Sequence, residues 1–360
     1  MPKLLLAAGG TGGHMFPAQA LAEILKGRGW NIAMITDARG AKHTSRIPAD
    51  QIIQVQAATI SPRNPLKAIR GIFKLAKGTS QAKSFMSDWR PDVVAGFGGY
   101  PAFPAMRAAQ GMNIPTLIHE QNAVLGRVNR VFASKARYVV SGFELLEKLP
   151  TNAQHVHLGN PLRQQIIEAI PDQYNPPNTK INLLILGGSL GARIVSEVVP
   201  QAVAELPEEL RKRLNVVQQT REESLDFARD IYKTAGVSAV CEPFFSDVQG
   251  YLAEAHYIIA RAGASSVSEI SAMGKPALYV PLKIAMDDHQ TKNGEAYKRL
   301  NAADILPESM FTPELVKTTL ENRLNDSNWL SSAARIAKQH SRPDAATQLA
   351  DLVASMVPNA

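Results

Sequence analysis

Four groups of residues in this chain have the types and spacing that chemistry on a phosphorylated, polar substrate requires. The first is Gly9-Gly-Thr-Gly-Gly-His14, directly after the apolar run Leu4–Ala8. Glycine lets a ligand approach the backbone, and free N–H groups where a loop enters a helix attract phosphate or developing negative charge. A tight turn without a ligand is the alternative, and it needs fewer glycines. The second is Leu183-Leu-Ile-Leu-Gly-Gly-Ser-Leu-Gly191; at an offset of 178, Gly9, Gly10, Thr11 and Gly13 fall on Gly187, Gly188, Ser189 and Gly191. Third comes Gly263-Ala-Ser-Ser-Val-Ser-Glu269, where Ser266 and Glu269 have the spacing of a capping box, while a carboxylate there could also take both hydroxyls of a ribose. The fourth is Asp287-Asp-His-Gln-Thr-Lys-Asn293. Adjacent residues seldom aim at one ion, so hydrogen bonds from Gln290 and Asn293 to a sugar fit this segment better than a metal does.

These groups need strands and helices to hold them. Leu4–Ala8 reads as a buried strand, and Pro17 opens a helical pattern through Leu21, Ala22 and Leu25. Asn31–Thr36 is a second strand ending at Asp37, a turn residue. Asp92–Gly99 and Ile114–Glu120 are further strand signals, and the end of the latter makes His119, Glu120 and Asn122 candidates for a site, each of which could equally be a turn or cap residue. Beyond the second glycine loop, strands are predicted at 215–218, 237–242, 256–260 and 276–280, with helical patterns between. Helical patterns from Pro313 and from Pro343 to Val357 close the chain. Alternation of this kind predicts mostly parallel sheets covered by helices, here two doubly wound α/β domains facing a cleft. The predicted boundaries are 1–158 for the first domain, with 343–360 packing back on it, and 159–342 for the second; Thr151–Pro177, rich in Pro, Asn and Gln, reads as the crossing.

Length and composition narrow the classes. A chain of 360 residues suits two ordinary domains. Its net charge of +7 is modest for that length and shows no aromatic–basic interleaving of an RNA-binding kind, so no nucleic-acid partner is expected. Cys241 is the sole cysteine, which rules out an internal disulfide, fits a reducing cytosol and gives core packing as its role. No secretory signal or membrane-spanning run is evident. The dinucleotide fingerprint fails, because Met15 stands where the third glycine after Gly10 and Gly12 should be, and no G-K-[ST] of a P-loop occurs.

From Pro65 to Lys77, Leu66, Ile69, Phe73 and Ala76 form one helical stripe, and Lys67, Arg70, Lys74 and Lys77 the neighbouring one. Two readings stay open: a surface helix with its apolar side in the core, or an interfacial helix that meets anionic lipid.

Taken together, Gly9–His14, His119-Glu-Gln-Asn122, Gly159-Asn-Pro-Leu-Arg163, Gly187–Ala192, Arg261–Glu269 and Asp288–Asn293 resemble the motifs of the MurG glycosyltransferases of bacterial peptidoglycan synthesis, in that family's order and over nearly the whole chain. The resemblance implies a GT-B fold and transfer of N-acetylglucosamine from UDP-GlcNAc to the 4-hydroxyl of undecaprenyl-pyrophosphoryl-MurNAc-pentapeptide, with inversion and with neither metal nor other cofactor. It assigns the diphosphate to Ser189 and its loop, the uracil to Phe245, and the ribose to Glu269. Ala264, Ser265, Ser266, Val267, Ser268 and Gln290 line the donor site by the same resemblance. Thr11, Gly12, Gly13, Asn122 and Arg163 approach the reacting end. Phe245 stands where the family often has an aliphatic residue, and Gly294 where alanine is common. The acceptor is a lipid, so the resemblance implies peripheral attachment to the cytoplasmic face of the plasma membrane through about 65–77. It also implies a place among the proteins of wall synthesis, and so in cell shape and division.

Inversion needs a base for the acceptor hydroxyl and stabilisation of UDP as it leaves. His14 is the expected base, since an imidazole titrates near working pH, and Glu120 is its rival. Other readings are a UDP-GlcNAc 2-epimerase or another GT-B transferase, a non-catalytic sugar-nucleotide-binding subunit, and a dinucleotide oxidoreductase.

Overall fold

A computed structural model describes residues 1–9, 12–58, 65–188, 191–282 and 286–357. The chain begins with β1 (Lys3–Ala7), α1 (Gly12–Gly27), β2 (Asn31–Thr36), β3 (Gln51–Gln54), α2 (Pro65–Trp89), β4 (Val93–Gly96), α3 (Ala102–Gly111), β5 (Thr116–Glu120), α4 (Arg127–Phe132), β6 (Tyr138–Ser141) and β7 (His155–His157). It continues through α5 (Gln164–Glu168), β8 (Ile181–Leu186), α6 (Arg193–Ala204), α7 (Glu208–Arg211), β9 (Leu214–Gln219), α8 (Leu225–Thr234), β10 (Ser238–Glu242), α9 (Val248–Glu254) and β11 (Tyr257–Ala260). The remainder is α10 (Ala264–Ala272), β12 (Ala277–Tyr279), α11 (His289–Lys298), β13 (Ala303–Ile305), α12 (Pro313–Leu324), α13 (Ser327–Gln339) and α14 (Ala345–Ser355).

Two compact units result: an N-terminal one of residues 1–163 with 342–360, and a C-terminal one of residues 164–341. Each is built on a parallel sheet, of seven strands in the order β3-β2-β1-β4-β5-β6-β7 and of six in the order β10-β9-β8-β11-β12-β13. Both are therefore α/β and doubly wound, with the strand order reversing between β1 and β4 and between β8 and β11. The first strand of each unit lies at the centre, so both its faces are covered. That is why Leu4, Leu5 and Leu6 are all fully buried and read as a continuous apolar run rather than an alternating one. In the N-terminal unit α14 returns to α1, and Leu349, Ala350 and Val353 share a core with Leu21 and Leu25.

Two local expectations are corrected. The first helix begins at Gly12, not at Pro17, which stands inside it. Proline removes only one helix hydrogen bond near the start, the one that would reach the Gly13 carbonyl, so the glycines themselves wind into the first turn and carry His14 with them. The other correction concerns α2. Its core-facing stripe is Gly71, Leu75, Gly78, Ala82 and Met86, whereas Ile69, Phe73 and Ala76 are exposed. A Cβ at Gly78 would collide with the Gln56 carbonyl oxygen, so glycine allows helix and backbone to touch there. The side chains of Leu66 and Lys67 lie outside the described set.

Candidate active site

In open parallel sheets, ligand-binding groups gather beyond the carboxyl ends of the strands where the order reverses. In the N-terminal unit that place holds the β1–α1 connection and Gly98–Gly99 after β4. His14 is half-buried in the first turn of α1. Its ring lies over the glycine pair: a Cβ on Gly98 would be 3.3 Å from His14 Cε1, and one on Gly99 3.5 Å from His14 Cδ2 and 2.7 Å from the Gly9 carbonyl oxygen. With φ of +91° and +76°, these two positions favour glycine for backbone reasons as well.

Behind His14 runs a chain of short contacts. His14 Nδ1 lies 2.8 Å from Gln121 Oε1. The Gln121 side-chain nitrogen donates to the His119 carbonyl oxygen at 3.0 Å and lies 3.1 Å from His119 Nδ1. His119 Nε2 in turn meets the Gly159 carbonyl oxygen at 3.1 Å. Burial, the dominant cause, pushes the His119 pKa down to about 4, with a smaller upward pull from the Gly159 carbonyl. Asn160 Nδ2 donates to the Gln121 carbonyl oxygen at 2.9 Å. The segments His119–Asn122 and Gly159–Arg163, far apart in sequence, thus interlock.

Glu120 is also buried, and its carboxylate is fully engaged. Oε1 accepts from Asn122 N at 3.1 Å and Asn122 Nδ2 at 3.2 Å; Oε2 accepts from Gly126 N and Asn129 Nδ2, both at 2.8 Å. Four donors on two oxygens occupy the lone pairs that a base would use. Glu120 therefore shapes the 121–126 loop and orients Asn122.

In the C-terminal unit, β8 runs into the second glycine loop at the other strand-order reversal. Gly187 N donates to Gln219 Oε1 at 3.1 Å, Gly191 N donates to the Gly188 carbonyl at 3.0 Å, and α6 starts after Ala192 with no side-chain cap. α10 likewise starts after Gly263 without a side-chain cap. Ser266 is thus inside the first turn and is not an N-cap, so the capping-box reading of Ser266 and Glu269 is corrected. At neither helix start does the N-cap side chain accept from a first-turn N–H, an arrangement that suits an anion. Arg261, between β11 and α10, donates to the Val280 carbonyl at 3.1 Å and pairs with Glu308. Gln290 Oε1 accepts from Leu282 N at 2.9 Å, which holds the amide in place and keeps its NH2 group for other partners. Asn293 is fully buried and donates to the Ala262 carbonyl at 3.0 Å, a scaffolding bond rather than the sugar contact expected of it.

Of the expected site residues, Thr11 and Ser189 lie outside the described residues. Gly12, Gly13, His14, Asn122 and Arg163 belong to the N-terminal unit; Phe245, Ala264, Ser265, Ser266, Val267, Ser268, Glu269 and Gln290 belong to the C-terminal one. Val267 is fully buried. The Phe245 ring is also buried and packs edge-to-face on Tyr251 at 5.1 Å, while Phe244 beside it is 76% exposed. Sequence reasoning passed over Gln121, Asn129, Asn160 and the Gly98–Gly99 pair. Gln121 stood inside a quoted motif, yet its role depends on contacts to His14, 107 positions away in the chain.

Comparison with known proteins agrees with this geometry. Residues 4–141 match the glycosyltransferase family 28 N-terminal domain, and residues 182–349 the family 28 C-terminal domain. A Maricaulis maris protein named UDP-N-acetylglucosamine–N-acetylmuramyl-(pentapeptide) pyrophosphoryl-undecaprenol N-acetylglucosamine transferase is 52% identical, over 99% of this chain and 98% of that protein. A Caulobacter vibrioides protein of the same name is 44% identical over 98% and 99%. The crystal structure of Acinetobacter baumannii MurG superposes with a TM-score of 0.82 at 32% identity, over 99% of this chain and all of that one. A UDP-GlcNAc 2-epimerase from Neisseria meningitidis also superposes, with a TM-score of 0.66, but at 14% identity over 98% of this chain and all of that one it shares the fold alone. The chain belongs to glycosyltransferase family 28, among the MurG transferases, and has their GT-B fold.

Proposed function

We propose that this chain transfers N-acetylglucosamine from UDP-GlcNAc to the 4-hydroxyl of MurNAc in undecaprenyl-pyrophosphoryl-MurNAc-pentapeptide, with inversion at the anomeric carbon. The observation that carries this reading is the full-length identity of 52% to a transferase of that name, with both family halves matched. The N-terminal unit is the acceptor unit and the C-terminal unit the donor unit. In the displacement, His14 Nε2 takes the proton of the acceptor hydroxyl as its oxygen attacks the anomeric carbon; UDP leaves with the electrons of the glycosidic bond. Uncapped N–H groups at the start of α6 and the loop around Ser189 stabilise the departing diphosphate. Glu269 takes the ribose, and Gln290 and the start of α10 the rest of the donor. Asn122, fixed by Glu120, and Arg163 face the acceptor, with Thr11, Gly12 and Gly13.

Purified protein with UDP-GlcNAc and a short-chain lipid acceptor should release UDP and form the disaccharide lipid. Free ManNAc instead would support epimerisation, and tight donor binding without turnover a binding subunit. His14→Ala should lower kcat at saturating substrates by at least about a hundredfold, the usual share of a general base; a kcat near wild type refutes His14 as the base.

The acceptor's lipid chain calls for a membrane surface. Among the described residues no helix is long and apolar enough to cross a membrane. α2 instead exposes Ile69 (51%), Ile72 (55%) and Phe73 (71%), together with Arg70, Lys74 and Lys77. Apolar side chains ringed by cations suit peripheral docking on anionic lipid at the cytoplasmic face, close to the partner proteins of wall synthesis. Anionic vesicles should bind the protein in a salt-sensitive manner, and K67E/R70E/K74E should abolish sedimentation with them; unchanged sedimentation of that triple variant refutes the surface.

A further inference from the structure

The contacts behind His14 admit one self-consistent assignment of hydrogens. A carbonyl oxygen only accepts, so His119 Nε2, 3.1 Å from the Gly159 carbonyl, must carry a proton. A buried imidazole whose pKa is held at about 4 is neutral at working pH and has one ring proton, so His119 Nδ1 is bare. The Gln121 amide faces two acceptors on one side, His119 Nδ1 and the His119 carbonyl, at 3.1 and 3.0 Å. Only its NH2 group, with two hydrogens, can satisfy both. Its oxygen is therefore turned toward His14 Nδ1 at 2.8 Å, and an amide oxygen demands a donor there.

We infer that Gln121 and His119 form a tautomer lock, fastened at Gly159, that holds the single proton of neutral His14 on Nδ1 and keeps its Nε2 lone pair bare. The opposite His14 tautomer would set two acceptors 2.8 Å apart. Gln121 cannot take up a proton and His119 stays neutral, so the chain conveys orientation and no charge; a proton accepted at His14 stays on His14. Gln121 and His119 are thus positioning residues. A carboxylate in Gln121's place would raise the basicity of His14, whereas the amide fixes its geometry and leaves its charge to the substrate. The inference rests on His14 as the base of the proposed transfer, but the lock itself is a property of the unliganded protein.

Two-bond proton–nitrogen NMR on the full chain labelled with 15N-histidine, at a pH where imidazoles are neutral, tests it, with His14→Gln assigning the His14 signals. The wild type should show opposite tautomers: His14 protonated at Nδ1, and His119 at Nε2. Gln121→Met, similar in size but without the amide, should move His14 toward the Nε2–H form. It should also lower kcat about tenfold, the population equivalent of one lost hydrogen bond, and change KM for UDP-GlcNAc by less than about twofold. Protonation of His14 on Nε2 in the wild type, or an unchanged His14 tautomer in Gln121→Met, overturns the lock. If the spectra are as expected while His14→Ala keeps its kcat, the lock stands and the base assignment falls.

Discussion

Replacing Glu120 by Gln separates two roles that a carboxylate near the proposed base can have. The substitution keeps size and shape but turns one oxygen into an NH2 group, which cannot accept. Whichever way the amide turns, two of the four donors lose their acceptor. The less costly orientation sacrifices the longer bonds to Asn122, at 3.1 and 3.2 Å, and keeps those to Gly126 and Asn129, both 2.8 Å. Hydrogen bonds to a charged acceptor contribute about 1.5–3 kcal/mol each, so the loss of two costs the N-terminal unit roughly 3–6 kcal/mol. In a unit of this size that lowers Tm by roughly 6–24 °C.

Trp30 and Trp89 lie in the N-terminal unit and Trp329 in the C-terminal one, so fluorescence-monitored melting in a Trp329→Phe background reports the affected unit. Tryptic cleavage after the exposed Arg127 should quicken as the 121–126 loop loosens. Were Glu120 the base, the Gln variant would melt like wild type and lose turnover alone. A Tm within about 2 °C of wild type, with tryptic cleavage unchanged, refutes the scaffolding role.

The same region yields two more predictions. Because burial holds the folded pKa of His119 at about 4 against 6.5 when exposed, the unfolded chain takes up that proton first as pH falls; its contribution is intact above pH 6.5 and drains away down to about pH 4, by about 3 kcal/mol. Urea unfolding across that window should show a shallower pH dependence in His119→Gln, and parallel profiles for the two proteins refute the buried neutral histidine. Gly99→Ala should combine a backbone penalty of about 1–2 kcal/mol with a clash 2.7 Å from the Gly9 carbonyl, displacing the β1–α1 connection and lowering kcat about tenfold or more. Gly236→Ala, with φ of +68° and nothing within 4 Å, should incur the backbone penalty alone and keep full kcat; equal kcat in the two variants refutes the steric argument.

Besides β9, β12 and the edge strand β10, the strands that the sequence made visible are those buried on both faces. β1, β2, β4, β5, β8 and β11 are short apolar runs next to glycine, proline or a polar turn, and the parallel sheets follow from them. The strands that escaped, β3 (Gln51–Gln54), β6, β7 (His155–His157) and β13, lie toward the sheet edges; each is polar at one or both ends or only three residues long, where hydrophobic patterning is weak. The pattern of α2 alone left two readings open for a different reason. Its periodicity was visible, but Gly71, Gly78 and Ala82 dilute Leu75 and Met86 on its buried side, while Ile69, Ile72 and Phe73 face outward. Among the site candidates, glycine loops and His14 stand out by residue type. Gln121, Asn129 and Asn160 do not, because an amide becomes functional only through the group it faces.

Similar glycine loops suit the different ends proposed for them in the two units because the chain leaves each of them differently. Both loops start from the first strand of a sheet at the point where strand order reverses, where open α/β sheets take ligands. The first winds directly into α1 at Gly12, so the third helical residue, His14, is brought against Gln121 and the Gly98–Gly99 turn. Helix N–H groups and a protonatable side chain thereby share one location, which suits a step in which a hydroxyl gives up its proton. The second loop folds back through the Gly191–Gly188 hydrogen bond and enters α6 only at Arg193, with no titratable side chain before the helix and no side-chain cap on it. Its first-turn N–H groups therefore keep their partial positive charge for a ligand, the arrangement that holds a diphosphate as negative charge builds on it. The repeated strand–loop–helix pattern thus supports the proposed proton acceptor in one unit and the proposed anion site in the other, and the difference rests on where the helix begins relative to the glycines.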